Sequence, residues 1–475
     1  MTFRLALRSF AAQPVRTLVL AGGFGVGIAS MAGLLGVGEV ILEQSRSPAL
    51  SGGGHVAISG VSGTLHSARH LTSSLLRREP FADETLSASP TKTSRLYLVR
   101  ADGTRRAVTA TGGIPSLERA LGDPETSSMQ GWHDNESDQA WADPQPGELL
   151  RSLDRFHPIP DVPTRADSWA EWLYFNGTAE NGNRFYLSFI VGRRTGPDRR
   201  AAVVRLQLER DGRRTRYSGR QEISSDELLA RAPDLEIGGS RVRLEGTNYR
   251  IHLQLHEERG EAGAAVPSGP PDLVGDLVLE AGTGGALPPM SVRGAGGWVS
   301  GYVVPVLSGR FAGTLQIGET RVEFEDAAGY HDHNWGFWEG VTWQWGQVAD
   351  GEISLVFGRI RPPLDAADPD RIPGFLLVMG KEGPLGHAAV VRIEEIPGAT
   401  PETPGRFEVT ARGADLRIKI SLDVEDATRT PFRQGGEGPE MEFLQMRALC
   451  RVEGQVAGRE ISFSAPGSAE TFRGR

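Results

Sequence analysis

The chain of 475 residues contains a single cysteine, Cys450. An intramolecular disulfide is therefore excluded, and so is a zinc site built from several thiolates. The formal net charge is −9, and no basic cluster alternates with aromatic residues. This composition argues against nucleic acid as a partner. The length is sufficient for two or three domains with cores of their own.

Helical periodicity is also scarce, whereas 61 Gly and 30 Pro suit many short strands joined by turns. Apolar and polar residues alternate strictly in stretches such as 205–209 and 250–256, and Asn181-Gly182 predicts a hairpin turn. From Phe156 onwards the sequence predicts antiparallel barrels or sandwiches. Repeated inward-facing aromatic residues would suit an eight-stranded barrel that holds one small apolar ligand.

Only one stretch is long and apolar enough to cross a membrane. Residues 17–38 contain no charged side chain and would span roughly 33 Å as a helix. Arg4, Arg8 and Arg16 precede this stretch, which predicts a cytoplasmic N-terminus. We expect a cytoplasmic tail (1–16), a transmembrane anchor (17–42) and a small extracytoplasmic linker region (43–154). The body would then face the periplasm or the exterior of a single-pass cell-membrane protein.

The opening segment resembles the first helix of FtsX-like ABC-transporter permeases. The resemblance is carried by Arg8-Ser9-Phe10, by Pro14-Val15-Arg16-Thr17-Leu18 and by the glycine-rich span that follows. It implies ABC transporter subunits as partners. No later run reaches ~18 apolar residues, so the chain is not a transport channel by itself.

The densest group of chemically versatile residues is Gly329-Tyr330-His331-Asp332-His333-Asn334-Trp335-Gly336. In an extended strand Tyr330 and Asp332 point to one side, and His331 and His333 point to the other. A carboxylate beside an imidazole can hold or move a proton. Equally, Asp332 and Asn334 could cap backbone groups while the tryptophans pack as core. The residues alone leave both interpretations open.

Three stretches together resemble the carotenoid 1,2-hydratase (hydroxyneurosporene synthase) and AttH-like family of tandem lipocalin-like proteins. They are Glu171-Trp172-Leu173-Tyr174-Phe175-Asn176-Gly177, Tyr302 to Pro305, and the motif at 329–336. The resemblance covers about residues 155–465. It implies an all-β fold with two tandem lipocalin-like antiparallel β-barrels, 155–335 and 336–475, behind the N-terminal transmembrane helix.

The resemblance also implies a chemistry. In the hydratases, the residues matching Tyr330 and Asp332 are held to be essential for protonating a C=C bond and adding water to the tertiary cation. Asp332 would be the acid, kept protonated by burial, with Tyr330 or His333 orienting it. The hydratases also carry a His-x-Trp pair before the proline that Pro305 matches. Here Gly301-Tyr302-Val303-Val304 contains neither residue, which counts against hydration.

The sequence therefore indicates two alternative functions. The first is a membrane-anchored protein that binds a lipophilic small molecule, isoprenoid- or lipid-like, for an ABC export system. The alternative is a hydratase or cyclase that acts on C=C bonds. Catalytic candidates are Asp332, Tyr330 and His333, and ligand-binding candidates are Glu171, Trp172, Tyr174, Tyr302, His331, Asn334, Trp335 and Trp338. No cofactor is expected. A metal site of His331, Asp332 and His333 is a third alternative that lacks another imidazole at suitable spacing.

The predicted anchor gives a direct test. A reporter fused after residue 50 should be extracytoplasmic, and the full-length protein should sediment with membranes after carbonate washing. A clean soluble species whose N-terminus lies beyond residue 38 would instead indicate a cleaved signal peptide and would contradict the anchor.

Overall fold

The computed structural model describes residues 56–59, 65, 68–77, 81–122, 129–258, 269–282, 286–381, 383–399, 403–433 and 440–474. The predicted tail (1–16) and anchor (17–42) therefore lie outside the described residues, whereas more than half of the predicted linker region (43–154) is described. Within the described part, no helix is long and apolar enough to cross a membrane. The chain divides into two compact units: 1–68 with 83–142, and 69–82 with 143–475.

The first unit contains an antiparallel hairpin and two short helices among its described residues. Strand β1 (Thr91–Val99) pairs with β2 (Arg105–Gly113) along their whole length. The helices are Pro115–Ala120 and Glu136–Ala142. The main-chain N–H and the hydroxyl of Ser116, at the start of the helix Pro115–Ala120, both donate hydrogen bonds to the carboxylate of Asp134. This unit belongs to the region predicted as small and extracytoplasmic.

The second unit begins with short helices and then becomes almost entirely β. Its helical segments are Ala68–His70 at the junction of the two units, Leu71–Leu75, Pro146–Leu153, Ala166–Ser168, Ser225–Arg231, Ala295–Gly297 and Pro369–Arg371. The helix Ser225–Arg231 starts where the Ser224 side chain accepts a hydrogen bond from the Glu227 N–H, an ordinary N-cap.

Eight strands of the second unit close into an antiparallel barrel, in the order β12-β13-β3-β4-β5-β6-β9-β10 and back to β12. The strands of this sheet are β3 (Trp169–Thr178), β4 (Arg184–Gly196), β5 (Arg199–Arg210), β6 (Arg213–Ser224), β7 (Leu235–Ile237), β8 (Ser240–Glu245), β9 (Asn248–Glu257), β10 (Leu273–Ala281), β11 (Leu287–Arg293), β12 (Val299–Ile317) and β13 (Thr320–Phe337). Asn181-Gly182 forms the predicted turn between β3 and β4, with Gly182 at φ 85°.

Nine further strands form a second antiparallel sheet, in the order β17-β16-β15-β14-β22-β21-β20-β19-β18. They are β14 (Thr342–Ala349), β15 (Ile353–Arg361), β16 (Phe375–Gly380), β17 (Gly383–Ala388), β18 (Val390–Pro397), β19 (Pro404–Arg412), β20 (Leu416–Arg433), β21 (Glu440–Val456) and β22 (Arg459–Gly474). Its terminal strands are not paired with each other among the described residues, so it is an open half-barrel. The predicted all-β tandem-barrel class is confirmed, with the second barrel incompletely closed.

Buried side chains form three clusters that follow the strand alternation. One fills the interior of the first barrel, with Phe185, Phe311 and Phe324 among its largest members. A second lies within the half-barrel. The third joins the two sheets and is mostly aromatic and aliphatic: Tyr174, Tyr186, Leu287, Val304, Leu307, Tyr330, Trp345, Val356 and Met379. Burial of these apolar surfaces is the main favourable term in holding the sheets together.

Packing inside the first barrel requires a glycine at position 301. Gly301 is the direct partner of Trp335 on the neighbouring strand, and a Cβ at this position would overlap the indole ring. Gly301→Ala should therefore lower the free energy of unfolding by roughly 1–3 kcal/mol, measured by denaturant titration. Gly192→Ala is the matched control, because the nearest atoms to its added Cβ lie 3.8 Å away. Equal stability of the two variants would contradict this packing.

Candidate functional site

The motif at 329–336 lies on β13, and the strand's alternation divides its side chains between two environments. His331, His333 and Trp335 point into the first barrel, where both imidazoles are fully buried. Tyr330 and Asp332 point the other way, towards the half-barrel. The predicted separation of the two pairs of side chains is confirmed. Two polar sites therefore exist, one on each face of the same strand.

Inside the first barrel, His331 is held by two acceptors. Its Nδ1 lies 2.9 Å from the main-chain oxygen of Tyr174, and its Nε2 lies 2.9 Å from Asp154 Oδ2. The Tyr249 hydroxyl also donates to Asp154, over 2.6 Å. Asp154 follows the helix Pro146–Leu153, so the segment before β3 contributes to the barrel interior.

The second buried imidazole bridges two carboxylates. His333 Nε2 lies 2.9 Å from Glu171 Oε1, and its Nδ1 lies 3.5 Å from Asp154 Oδ1. Glu171 also accepts bonds from the main-chain N–H of His157 and lies 2.7 Å from His157 Nδ1. The His157 ring stacks on Trp335 with centroids 4.4 Å apart. This interior network ties β3, β13 and the preceding segment together.

The buried carboxylates of the interior network are stabilised by the histidines beside them. Burial disfavours the charge of Asp154, but His331 and then His333 outweigh burial and hold the pKa of Asp154 below its usual range. Burial is likewise outweighed at Glu171, whose pKa is lowered by bonds from His157 and His333. For His333, burial opposes the positive charge, yet its bonds to Asp154 and Glu171 raise its pKa to about 9.

Between the two sheets lies a cavity of about 930 Å³. Aromatic rings from both sheets form its wall: Trp172 packs on Trp338 with centroids 4.6 Å apart, and Trp343 stacks on Phe472 at 4.3 Å. The lining also includes Tyr174, Tyr302, Asp332, Asn334, Trp345, Phe443, Gln445 and Glu470. The volume and lining suit a drug-sized apolar molecule.

Asp332 sits in this wall at the end of a hydrogen-bonded chain. The Tyr330 hydroxyl donates to Asp332 Oδ2 over 2.9 Å, and the Asn334 amide donates to Oδ1 over 2.7 Å. The hydroxyls of Tyr302 and Tyr330 are 2.6 Å apart. The Trp345 indole N–H, from the half-barrel, donates to Tyr302 over 3.0 Å. The carboxyl group is thus fixed in position by groups from both sheets.

The environment favours the neutral form of Asp332. Burial raises its pKa well above the usual value, and the nearby carboxylate of Glu470 raises it further. The bonds from Tyr330 and Asn334 act in the opposite direction but are outweighed. This direction agrees with the sequence-based expectation that burial raises the pKa of Asp332, and its protonation near neutral pH stays a prediction.

The predicted site residues separate accordingly. Six of them line the cavity: Trp172, Tyr174, Tyr302, Asp332, Asn334 and Trp338. Tyr330 is buried beneath the wall, hydrogen-bonded to Asp332. Glu171, His331, His333 and Trp335 belong to the barrel interior instead. Tyr330 and His333 were predicted as alternatives for orienting Asp332. Tyr330 holds the carboxyl group, together with Asn334, whereas His333 faces the opposite side of the strand.

Several residues of the two sites were not anticipated. Asp154 and His157 precede the first strand in a stretch without a recognisable motif. Glu470 and Gln445 reach the cavity from β22 and β21, more than 100 residues after the motif. A signal existed for Trp343 and Trp345, because alternate aromatic residues on a strand directly after the motif share one face.

Comparisons with known proteins add likenesses of fold. No family model matches the chain, and no curated protein matches it significantly. An AttH-like protein from Nitrosomonas europaea is 13% identical, with 66% of this chain and 99% of that chain covered and a TM-score of 0.42. Kievitone hydratase from Nectria haematococca is 13% identical, with 66% of this chain and 93% of that chain covered and a TM-score of 0.41. CghA with Sch210972 is 13% identical, with 67% of this chain and 94% of that chain covered and a TM-score of 0.40. The fold assignment itself rests on the strand pairing described above.

One group of residues has the donor atoms of a metal site. His157 Nδ1, Glu171 Oε1 and His333 Nε2 all lie within 4.8 Å of one another. Hydrogen bonds of 2.7 and 2.9 Å join Glu171 Oε1 to His157 Nδ1 and to His333 Nε2. We assign it as a hydrogen-bond network. The predicted alternative of His331, Asp332 and His333 is wrong, because Asp332 faces away from both imidazoles.

The interior network predicts a pH dependence of stability. The pKa of His333 is about 9 in the folded protein and about 6.5 in the unfolded chain. Its contribution to the free energy of unfolding is therefore complete below pH 6.5 and is lost as pH rises through about 9. The free energy of unfolding should fall by up to about 3 kcal/mol across this window. The lowered pKa values of Asp154 and Glu171 make their contribution disappear as pH falls below about 4.

The measurement is urea unfolding at pH 6.5 and 9 for three proteins. His333→Gln should remove most of the difference between the two pH values. His252→Gln, which changes a histidine paired with exposed Asp276, should retain it. A wild-type protein equally stable at both pH values would contradict the assigned charge of His333.

Proposed function

We propose that the protein binds one lipophilic small molecule in the cavity between the closed barrel and the half-barrel. The observation that carries this proposal is the cavity of about 930 Å³ with an aromatic wall built from both sheets. Ligand pockets of soluble proteins have this size and lining. Few polar groups face the cavity relative to apolar ones, so an isoprenoid- or lipid-like ligand fits better than a sugar or a nucleotide.

The interior of the first barrel is a poorer candidate for the ligand. Phe185, Phe311 and Phe324 fill it edge to face, with centroids about 5 Å apart. Protein interiors packed in this way leave few voids larger than a water molecule. A ligand bound between the sheets also explains why aromatic residues of β14 face β3 and β13.

A second function, acid catalysis on a C=C bond, is favoured by one specific observation. Asp332 lines the cavity, accepts a hydrogen bond on each oxygen, and has a pKa that burial raises well above its usual value. Its own proton is then free to be directed at a bound molecule. Transfer of that proton to an alkene would create a carbocation, which the faces of Trp172, Trp338 and Trp343 would stabilise. Water addition or ring closure would follow.

The location at a membrane and the partnership with an ABC export system are also proposals. They rest on the uncharged residues 17–38, on the arginines before them and on the resemblance to permease opening helices. An anchored carrier with a lipophilic ligand would suit such a system chemically, because it could receive its ligand from the bilayer.

Binding can be tested by native mass spectrometry of the purified protein and by titration with the neutral dye N-phenyl-1-naphthylamine. Phe443→Ala should weaken dye binding by about 1–3 kcal/mol, since this ring lines the cavity. Phe463→Ala is the matched control: it is also partly buried on the half-barrel, but it packs against the core of that sheet. Equal losses in both variants would contradict the cavity assignment.

Asp332→Asn distinguishes the two functions. The change keeps the shape and the hydrogen-bonding capacity but removes the transferable proton. Dye affinity should stay within a few-fold of the wild type, because the carboxyl group is a small part of the wall. If the protein is a catalyst, turnover of its substrate should be abolished. A loss of binding that follows a fall in melting temperature would instead indicate a structural role for Asp332.

A further inference from the structure

A second carboxyl group faces the cavity, from the other sheet. Glu470 lies on β22 and is the direct neighbour of Trp345 on β14 and of Gln445 on β21. The Gln445 amide donates to Glu470 Oε1 over 3.1 Å. Nothing in the sequence around Glu470 resembles the motif that contains Asp332, so its position results from the fold alone.

Glu470 and Asp332 are separated by one tyrosine. Tyr174 lies directly opposite Asp332 in the register of β3 and β13. The Tyr174 hydroxyl accepts a bond from the Gln445 amide at 3.4 Å, and this amide also holds Glu470. The two carboxyl groups therefore line one cavity, with Tyr174 between them.

Neither carboxyl group has an ion-pair partner among the described residues. Buried Glu442, on the neighbouring strand, shows the usual alternative: Arg429 and Arg473 both pair with it. Glu209 is the next acidic group that is reached by following hydrogen bonds from Gln445. It is paired with an arginine of its own sheet at 3.0 Å. An unpaired carboxyl group in an apolar cavity opposes folding unless it is neutral, so stability does not explain Glu470.

The electrostatics of the pair support a division of roles. Burial raises the pKa of Glu470 to about 7, with bonds from Gln445 and Tyr174 acting in the opposite direction. Burial and then the charge of Glu470 raise the pKa of Asp332. Near neutral pH one group can donate a proton while the other can accept one, which is the arrangement of an acid–base pair.

The geometry points to Glu470 as the general base that complements the acid Asp332 in adding water to a C=C bond. This inference rests on the acid catalysis proposed above. Asp332 gives its proton to one alkene carbon, so that a C–H bond forms from the π electrons and the other carbon becomes cationic. A water oxygen bonds to the cation, and Glu470 takes a proton from that water. The product is an alcohol.

The reaction leaves Asp332 ionised and Glu470 protonated, so one proton must return before the next turnover. This proton can return through Tyr174, which lies between the two carboxyl groups. It can also return through water that enters after product release. No oxidant, reductant or metal is required for the balance. A ligand able to use the pair must have an alkene that gives a stabilised, tertiary cation, as in branched isoprenoid chains.

The first experiment needs no substrate. Infrared difference spectra of wild type and Asp332→Asn identify the carboxyl band of Asp332, and its titration midpoint is then measured in Glu470→Gln. The inference predicts a fall of about one pH unit or more, because a neighbouring negative charge has been removed. Glu460→Gln, an exposed position on the same strand, should leave the midpoint unchanged. An unchanged midpoint in Glu470→Gln would overturn the pairing.

The second experiment follows the chemistry with geraniol, geranylgeraniol and squalene as probes. Deuterium uptake from D₂O reports protonation by Asp332, and ¹⁸O uptake from labelled water reports hydration. Glu470→Gln should lose at least ten-fold in ¹⁸O uptake and retain deuterium exchange, whereas Asp332→Asn should lose both. Equal ¹⁸O uptake in wild type and Glu470→Gln would overturn the role of Glu470 alone. A wild type inert towards all probes would contradict the proposed catalysis, and the inference would fall with it.

Discussion

The alternation of side chains along β13 determines the chemistry of this molecule. Successive residues of a strand face opposite sides, so His331 and His333 enter the closed barrel while Tyr330 and Asp332 face the half-barrel. A shift of one residue in the pairing with β3 would exchange the two sets and bury the wrong groups on both sides. The register is fixed by the buried network on one face and by aromatic packing on the other.

Buried carboxyl groups are stabilised in different ways on the two faces of β13. In the barrel interior, Asp154 and Glu171 remain ionised because histidines donate to them, so the charges compensate each other. In the cavity, Asp332 has only neutral donors, and burial favours its protonated form. The interior network joins β13 to β3 and to the segment before β3, whereas the cavity face places a buried carboxyl group against the half-barrel.

The sequence was sufficient for the fold class and for part of the site. Alternating stretches and the Asn181-Gly182 turn predicted antiparallel strands, and the spacing of Tyr330 and Asp332 predicted that they share a face. Glu470 could not be predicted, since its approach to Asp332 depends on how a second sheet packs on the first. How far side chains fill the closed barrel could not be predicted for the same reason: packing of Phe185, Phe311 and Phe324 is a property of tertiary structure.

The most direct test of this account is crystallography of the protein with a brominated fatty acid, its bromine located by anomalous scattering. The account predicts the bromine between the two sheets, in van der Waals contact with the wall formed by Trp172, Trp338 and Trp343. It also predicts that Asp332 keeps its bonds to Tyr330 and Asn334. A bromine inside the closed barrel, among the phenylalanines and beside His331, would contradict the assignment of the functional cavity.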